Sequence, residues 1–213
     1  RKPKHLEYKG WSGVMSMPRV LSLSEQGTLL IRPPEEVKKL RLEGVDEKNI
    51  YLSSNQEKTL DIKGKSLEIM IEFKSFEQSE YGVKVFCSPD GKEETIIKYD
   101  PSRKELVIDF IHSSKNGPVK MRANCMQKPQ LEEFGDEVSE QRVPFELRKG
   151  ENLQLDIFID KAIIEVFANG RTCITQVVYP EMENSDTVKI FSGNEPIKIL
   201  KVEAWKMATT NTF

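Results

Sequence analysis

The chain has 213 residues, and its 32 Lys and Arg side chains nearly balance 34 Asp and Glu, for a formal net charge of −2 at pH 7. This balance gives no basic footprint for nucleic acid or for an anionic membrane surface. No apolar run approaches the roughly 20 residues that a membrane-spanning helix needs. The sequence therefore predicts neither a nucleic-acid nor a membrane partner.

The start of the chain and its cysteines say little about compartment. The first residues read Arg-Lys-Pro-Lys without an initiator Met, which indicates a mature or truncated product, and a secreted or a cytoplasmic location both stay open. Cys87, Cys125 and Cys173 are far apart and show no zinc-type spacing, so we expect core thiols. With only His5 and His112 besides, the sequence predicts no metal site and no cofactor.

Alternation of apolar and polar residues is the dominant signal along the chain. After Pro33-Pro34, residues 35–42 are predicted to form a short helix. Strands follow in which every second residue is apolar, as in Leu67, Ile69, Ile71 and Phe73. Further strands are predicted at 83–87, 94–99, 105–110, 153–160, 163–167, 171–179, 188–191 and 197–207.

Turn chemistry supports the same interpretation. Asn169-Gly170 lies between two apolar alternating runs and is a strong hairpin signal. The stretch His112–Pro144 is long, polar and weakly periodic, so it is predicted to be a loop. These features predict an all-β fold, a two-sheet antiparallel β-sandwich of the concanavalin or jelly-roll kind, and not a βαβ fold.

No residue pattern supplies a complete catalytic site. The sequence has neither a Gly-x-Ser-x-Gly elbow nor a Gly-rich phosphate loop. Glycoside hydrolysis needs two carboxylates about 5–10 Å apart, and Asp156, Asp160 and Glu165 are the tightest local candidates. Acids on the polar face of a strand usually keep the sheet soluble, so we assign no catalytic residue.

Aromatic residues near strand ends could stack on sugar rings. Phe76, Tyr81 and Phe134 are the candidates for weak sugar binding. Trp205 lies on the face opposite Leu200 and Val202 in its predicted strand, where we expect it to pack against a covering segment.

Two stretches match a known pattern. Residues 10–23 read Gly-Trp-Ser-Gly-Val-Met-Ser-Met-Pro-Arg-Val-Leu-Ser-Leu, and a Leu-Arg pair follows at Leu40-Arg41. Residues 155–171 read Leu-Asp-Ile-Phe-Ile-Asp-Lys-Ala-Ile-Ile-Glu-Val-Phe-Ala-Asn-Gly-Arg, and Trp205-Lys206-Met207 comes near the end. Together these stretches resemble family 32 glycoside hydrolases (invertases, levanases, inulinases), with Val20 and Ala162 departing from the usual acidic residue and Ser.

The resemblance implies an arrangement of domains. Residues 1–32 would be the last segment of a five-bladed catalytic propeller, 33–45 a linker with the short helix, 46–208 the C-terminal sandwich and 209–213 a tail. The signature hairpin of the sandwich would comprise Asp160, Glu165, Phe167, Asn169, Gly170 and Arg171. Contacts with the propeller would come from Trp11, Pro18, Arg19, Leu40 and Arg41.

The resemblance also implies that the catalytic residues lie elsewhere. The family's nucleophile, stabilising Asp and acid/base Glu belong to Asn-Asp-Pro, Arg-Asp-Pro and Glu-Cys motifs in the propeller, and none of these motifs occurs here. We therefore expect a non-catalytic module of a β-fructosidase that stabilises the propeller and mediates domain or subunit contacts. Such subunit contacts could form a homo-oligomer. The alternative is a carbohydrate-binding module for fructan or sucrose-type sugars.

Overall fold

A computed structural model describes residues 14–122 and 137–209, and within these residues the chain is almost entirely β-structure. A leading hairpin, β1 (Val20–Leu23) and β2 (Leu29–Arg32), precedes one short 3-10 helix, Glu35–Leu40. The next strands are β3 (Arg41–Leu52), β4 (Glu57–Lys63), β5 (Ser66–Phe73), β6 (Tyr81–Cys87), β7 (Thr95–Asp100) and β8 (Glu105–Asp109). The remaining strands are β9 (Met121–Arg122), β10 (Glu137–Val138), β11 (Glu140–Pro144), β12 (Leu153–Asp160), β13 (Ile163–Ala168), β14 (Thr172–Val177), β15 (Thr187–Ser192) and β16 (Ile197–Met207).

Two six-stranded antiparallel sheets form the sandwich, which confirms the predicted fold class. One sheet has the order β14-β13-β12-β5-β16-β3 and contains the Asn-Gly hairpin, so we call it the hairpin sheet. The other has the order β11-β8-β7-β6-β15-β4, and we call it the meander sheet. All pairings between their strands are antiparallel.

The core lies between the sheets, where the period-two pattern predicts it. Leu67, Ile69, Ile71 and Phe73 point inward from β5 and are at most 3% exposed. The meander sheet contributes Tyr81 from β6, which is completely buried and lies 5.0 Å from Phe73 between ring centroids. Burial of such side chains stabilises the fold by about 25 cal/mol per Å² of apolar surface removed from water.

The turn at Asn169-Gly170 has the geometry that its residues favour. Both have positive φ, 47° and 61°, as a two-residue hairpin turn requires. The Asn169 side chain fixes the turn further, because its Oδ1 accepts from the Gln154 backbone N–H at 2.9 Å and its Nδ2 donates to the Asn152 carbonyl at 2.9 Å.

Three edge strands of the sandwich lie where the sequence predicted something else or nothing. The helix ends at Leu40 and β3 begins at Arg41, inside the stretch 33–45 that was assigned to the linker. The predicted loop His112–Pro144 contains β11, Glu140–Pro144, which pairs with β8. Strand β4, Glu57–Lys63, was not predicted at all. All three are edge strands, with little apolar alternation to reveal them.

The leading segment forms a separate two-stranded ribbon. Its strands are β1, Val20–Leu23, and β2, Leu29–Arg32, and Leu21 faces Ile31 while Leu23 faces Leu29. A backbone hydrogen bond of 2.7 Å from Ile31 to the Gly170 carbonyl fastens the ribbon to the hairpin turn of the sandwich.

Candidate functional site

The outer face of the hairpin sheet differs from an ordinary solvated face because it buries acidic side chains. In its first cross-strand row, the side chains are, in order across the sheet, Trp205, Glu68, Phe158, Glu165 and Thr175. The next row contains Glu203, Met70, Asp156, Phe167 and Cys173. Glu68 is 1% exposed and Glu165 3% exposed, so the leading segment and the 3-10 helix must cover much of this face.

Glu165 is the point at which the leading segment is held. Its Oε1 accepts from the Met17 backbone N–H at 2.6 Å, and its Oε2 lies 3.4 Å from the Arg19 guanidinium. The Thr175 hydroxyl donates to the same carboxylate at 3.3 Å and accepts from Arg19 at 2.8 Å. Because charge-assisted bonds to a buried carboxylate are strong, this cluster fixes the chain just before β1.

Glu68 is held in the same way by the start of β3. Arg41 Nε donates to Glu68 Oε2 at 2.7 Å and Nη2 lies 2.5 Å from Oε1, a two-pronged pair. The guanidinium also lies 3.7 Å above the centre of the Trp205 ring. The hydrogen bond that it donates to Glu68 raises the pKa of Arg41, so the guanidinium stays protonated.

Asp156 is another acidic residue of this face, and it lacks such a partner. Its Oδ1 is buried and accepts no hydrogen bond from residues 14–122 or 137–209. Burial and, second, the Glu68 carboxylate raise the pKa of Asp156 to about 7, against the smaller opposing effect of Arg41. We expected Asp156 to be a solubilising surface acid, and this is wrong because the helix after Pro33-Pro34 covers it.

The signature hairpin residues have separate structural tasks. Phe167 is 2% exposed and packs edge-on against Phe158, with ring centroids 6.0 Å apart. Arg171 pairs with Glu151 at 2.7 Å and lies over the Phe145 ring at 5.3 Å. Asp160 is exposed at the end of β12 and is not part of the buried acidic cluster.

Gly170 supports a close approach of the leading segment. A Cβ atom placed there would lie 2.9 Å from Arg32 Nε, and the residue has a positive φ. Glycine therefore lets the end of β2 contact the turn directly.

The residues predicted to contact a propeller lie together on this side of the molecule. Arg19 binds Glu165, Arg41 binds Glu68, and the Leu40 carbonyl accepts from the Ala208 N–H at 2.8 Å. Pro18 is exposed beside Arg19. Trp11 is outside the described residues. In this structure Arg19 and Arg41 bind the sandwich itself, and their contact with a second domain stays a prediction.

Of the residues predicted to stack on sugars, Tyr81 is not placed to do so. Tyr81 is a core residue with 0% exposure, so its candidacy is wrong: its ring packs among Phe73, Phe76 and Tyr99. Phe76 is half-buried against Tyr81, with centroids 6.3 Å apart. Phe134 is outside the described residues. The period-two pattern could have placed Tyr81 inside, because it precedes Val83 and Val85 at the same spacing.

Apolar exposure is concentrated in the leading segment. Leu21 is 62%, Leu23 71% and Leu29 49% exposed, and the register of the ribbon puts all three on one face. Val14, Met15 and Val20 are exposed as well. We call Leu21, Leu23 and Leu29 the leucine face.

The described part of the chain offers no other chemistry of an obvious kind. Between residues 14 and 122 and between 137 and 209, no group of His, Cys, Asp and Glu is placed to hold a metal ion. Cys87 is buried, Cys173 is partly buried, and both are free thiols. No helix in the described ranges has the length and apolarity to cross a membrane.

These features define an all-β sandwich domain with a covering segment attached to its hairpin sheet. Residues 36–206 match the model described as "Glycosyl hydrolases family 32 C terminal". The chain belongs to this family, as the resemblance predicted.

Named relatives and solved structures agree with that assignment. The chain is 28% identical to fructan 6-exohydrolase of Beta vulgaris over 93% of its own length and 37% of the relative's. It is 26% identical to an acid beta-fructofuranosidase of Vigna radiata var. radiata, over 93% of this chain and 34% of the relative. It superposes on fructan 1-exohydrolase IIa of Cichorium intybus with a TM-score of 0.73 at 22% identity, covering 94% of this chain and 42% of that one.

The exo-inulinase of Aspergillus awamori gives a TM-score of 0.72 at 18% identity, covering 97% of this chain and 38% of that one. The two structural matches show the fold. The chain therefore spans a little over a third of the curated relatives that it matches.

Proposed function

We propose that this chain is the non-catalytic sandwich module of a family 32 β-fructosidase, and that it docks on and stabilises a catalytic propeller domain. The matched relatives are named fructan exohydrolases and β-fructofuranosidases, so we infer that the intact enzyme cleaves β-fructosidic bonds in sucrose or fructans. The catalytic motifs of the family do not occur in this sequence.

The observation that carries this proposal is the leucine face. A two-stranded ribbon is marginally stable on its own and gains stability when further strands pair with it. Among the described residues β1 pairs with β2 alone, which leaves its outer edge and the leucine face of the ribbon for a neighbouring sheet. An apolar patch of this kind marks an interaction site, and the blade of a propeller offers the strand edge and apolar surface that would cover it.

Anchoring on the sandwich side supports the same role. Glu165 holds the chain immediately before the ribbon, the Gly170 carbonyl holds β2, and Arg41 fixes the strand after the helix. A ribbon held just before β1 and at β2 can transmit rigidity from the sandwich to a domain bound on its leucine face.

The test mixes the chain with the separately produced catalytic domain of the same enzyme. We expect association in the micromolar range or tighter, a higher melting temperature of the catalytic domain and faster fructose release from sucrose than with that domain alone. Leu23→Lys should abolish these effects, because it places a charge in the apolar contact.

Leu42→Lys is the matched control, since Leu42 is 58% exposed on β3 and lies outside the ribbon. Equal effects of the two substitutions, or no association at all, would disprove docking through the leucine face. Sedimentation of the chain alone tests the competing role of this face, which is self-association. A dimer that Leu23→Lys dissociates would assign the leucine face to contacts between two copies of the chain.

A further inference from the structure

A cavity lies between the linker and the outer face of the hairpin sheet. Residues 32–38 roof it, β5 and β12 form its floor, and the Asn169-Gly170 turn closes one end. Its volume is about 370 Å³. That volume is at the lower end of the roughly 300–1,000 Å³ typical of small-molecule sites.

The lining combines an apolar floor with hydrogen-bonding side chains. Met70, Phe158 and Phe167 supply apolar surface, and Pro33 and Pro34 lie opposite them. Gln154 contributes an exposed amide group, and the Asn169 side chain, which is bonded to the Gln154 N–H and the Asn152 carbonyl, also lines the cavity. Apolar walls with a few convergent polar groups are the usual composition of a ligand pocket.

Of the four described side chains with a buried polar atom that has no partner (Tyr81, Thr95, Ser113 and Asp156), only Asp156 lines this cavity. Its buried Oδ1 accepts no hydrogen bond from the residues that the structure describes. Glu68 and Glu165, the two fully buried acids of the same face, accept hydrogen bonds from Arg41 and from Met17, Arg19 and Thr175. An unpaired buried carboxyl is costly, so its persistence beside an open cavity points to a ligand.

The charges of the cavity argue against an anionic ligand. Five acids line it: Glu35, Glu68, Glu72, Asp156 and Glu203. The cations are Arg32, Lys38 and Lys201, and Lys38 and Lys201 already pair with Glu35 and Glu203. A phosphate or carboxylate would meet an excess of negative charge.

The state of Asp156 argues for a hydroxyl rather than a cation. Burial and the nearby Glu68 carboxylate raise the pKa of Asp156 to about 7, so the neutral and ionised forms are both populated near neutral pH. A cationic ligand binds only the ionised form, whereas a hydroxyl donates to the carboxylate and accepts from the acid. A neighbouring hydroxyl can reach the Gln154 amide, while the carbon face of the ligand covers Met70 and Phe158.

We propose that this cavity is a binding site for a neutral polyhydroxylated ligand, one or two sugar residues in size, with Asp156 as its central hydrogen-bonding group. The proposal is independent of docking through the leucine face, which lies on the ribbon outside the cavity. It also replaces Phe76, Tyr81 and Phe134 as the sugar-binding residues with a different part of the same chain.

The experiment is a chemical-shift titration of the 213-residue chain with sucrose and with 1-kestose. We expect saturable shifts confined to residues 32–38, 70–72, 154–158 and 167–170, with a Kd on the order of 1 mM. Asp156→Leu should weaken binding about tenfold or more, because the hydroxyl loses its partner. The same variant should unfold at a higher denaturant concentration, so misfolding cannot explain the lost binding.

Asp160→Leu is the matched control on the same strand, since Asp160 is exposed and does not line the cavity. It should leave the Kd unchanged. Gln154→Trp, at an exposed position beside the cavity, should block binding without disturbing the core.

Three outcomes would overturn the proposal. The first is the absence of saturable shifts at 10 mM sugar, and the second is shifts centred outside the cavity. The third is a response of the cavity amides to putrescine but to neither sugar, which would make it a cation site.

Discussion

The outer faces of the two sheets use acidic residues in different ways. On the meander sheet, Lys84 and Lys189 reach Glu57 at 2.7 and 3.0 Å, and these side chains remain partly exposed to solvent. On the hairpin sheet, Glu68 and Glu165 are buried beneath the leading segment and the start of β3. Surface ion pairs contribute roughly 0–1 kcal/mol each, whereas a buried carboxylate without its partner costs several kcal/mol.

The difference separates a solvated face, where water can replace a lost partner, from a buried face, where it cannot. A solvated network tolerates the loss of a member because water replaces it. At Glu68, Arg41 is the partner whose loss would leave a buried charge, and at Asp156 the sheet leaves a buried carboxyl oxygen open to a cavity. We therefore expect substitutions on the two faces to differ in size and in their dependence on pH and salt.

The largest effect is expected at Arg41. Arg41→Met leaves Glu68 buried without its two-pronged partner, and we expect a loss of about 3 kcal/mol in the free energy of unfolding. Urea denaturation measures this loss. Adding Glu68→Leu should recover most of it, because the double variant no longer buries an unpaired charge.

Lys98→Met is the comparison on the meander sheet. It breaks the Lys98–Glu80 pair, but Glu80 is 43% exposed, so water can solvate the remaining carboxylate. We expect a loss below about 1 kcal/mol. Equal losses in the two single variants would contradict the distinction between the faces.

The next effect should appear at Asp156 and should depend on pH. Because burial raises the pKa of this carboxyl from 3.8 to about 7, the folded chain binds more protons than the unfolded chain between pH 4 and 7. The contribution of Asp156 to stability therefore falls as the pH rises through that window and stays low above it. Asp156→Asn removes this loss and should stabilise the chain at pH 8 by on the order of 2 kcal/mol.

Urea unfolding of both proteins at pH 4.5 and at pH 8 tests this sign. The advantage of Asp156→Asn should be small at the lower pH and large at the higher. Asp160→Asn is the matched control and should show no such trend, because Asp160 is exposed. If the gain in the free energy of unfolding from Asp156→Asn is the same at both pH values, Asp156 does not titrate in this window.

A smaller effect is expected where the leading segment is held. Arg19→Ala removes the cation beside Glu165, but the Met17 N–H and the Thr175 hydroxyl remain. We expect a loss of about 1 kcal/mol together with faster hydrogen exchange at residues 14–32. Arg103→Ala, at a 64% exposed arginine 3.9 Å from Asp100, should change neither quantity. Unchanged exchange in Arg19→Ala would mean that other contacts hold the segment.

Central and edge strands differ in how well the sequence predicts them. Central strands such as β5 and β12 bury one face against the core, and their alternation was sufficient to predict them. Three edge strands, β3, β4 and β11, were missed or assigned to a linker and a loop. Their pairing depends on a neighbouring strand rather than on their own apolar pattern. The fourth edge strand of the two six-stranded sheets, β14, was predicted because the Asn-Gly turn precedes it.

Buried polar contacts were equally invisible in the sequence. Glu93 is 0% exposed and accepts from Ser185 and from the backbone of Glu181 and Met182, which lie almost ninety residues away. Burial alone would raise the pKa of Glu93, but these donors lower it overall. Nothing in the local pattern around residue 93 indicates such partners. The same holds for the cavity at Asp156, which exists only once the linker folds over the sheet.

The smallest effect is expected in the solvated network of the meander sheet. Lys189→Ala removes one of two lysines on Glu57, and Lys84 keeps its contact with that carboxylate at 2.7 Å. We expect a change within about 0.5 kcal/mol in low salt that disappears in 1 M NaCl, where the Debye length falls to about 3 Å. Urea unfolding at the two salt concentrations measures it, with Arg41→Met as the reference. The Arg41→Met loss should persist in high salt, because a buried pair is screened much less; a loss that salt abolishes in both variants would place Glu68 effectively in solvent.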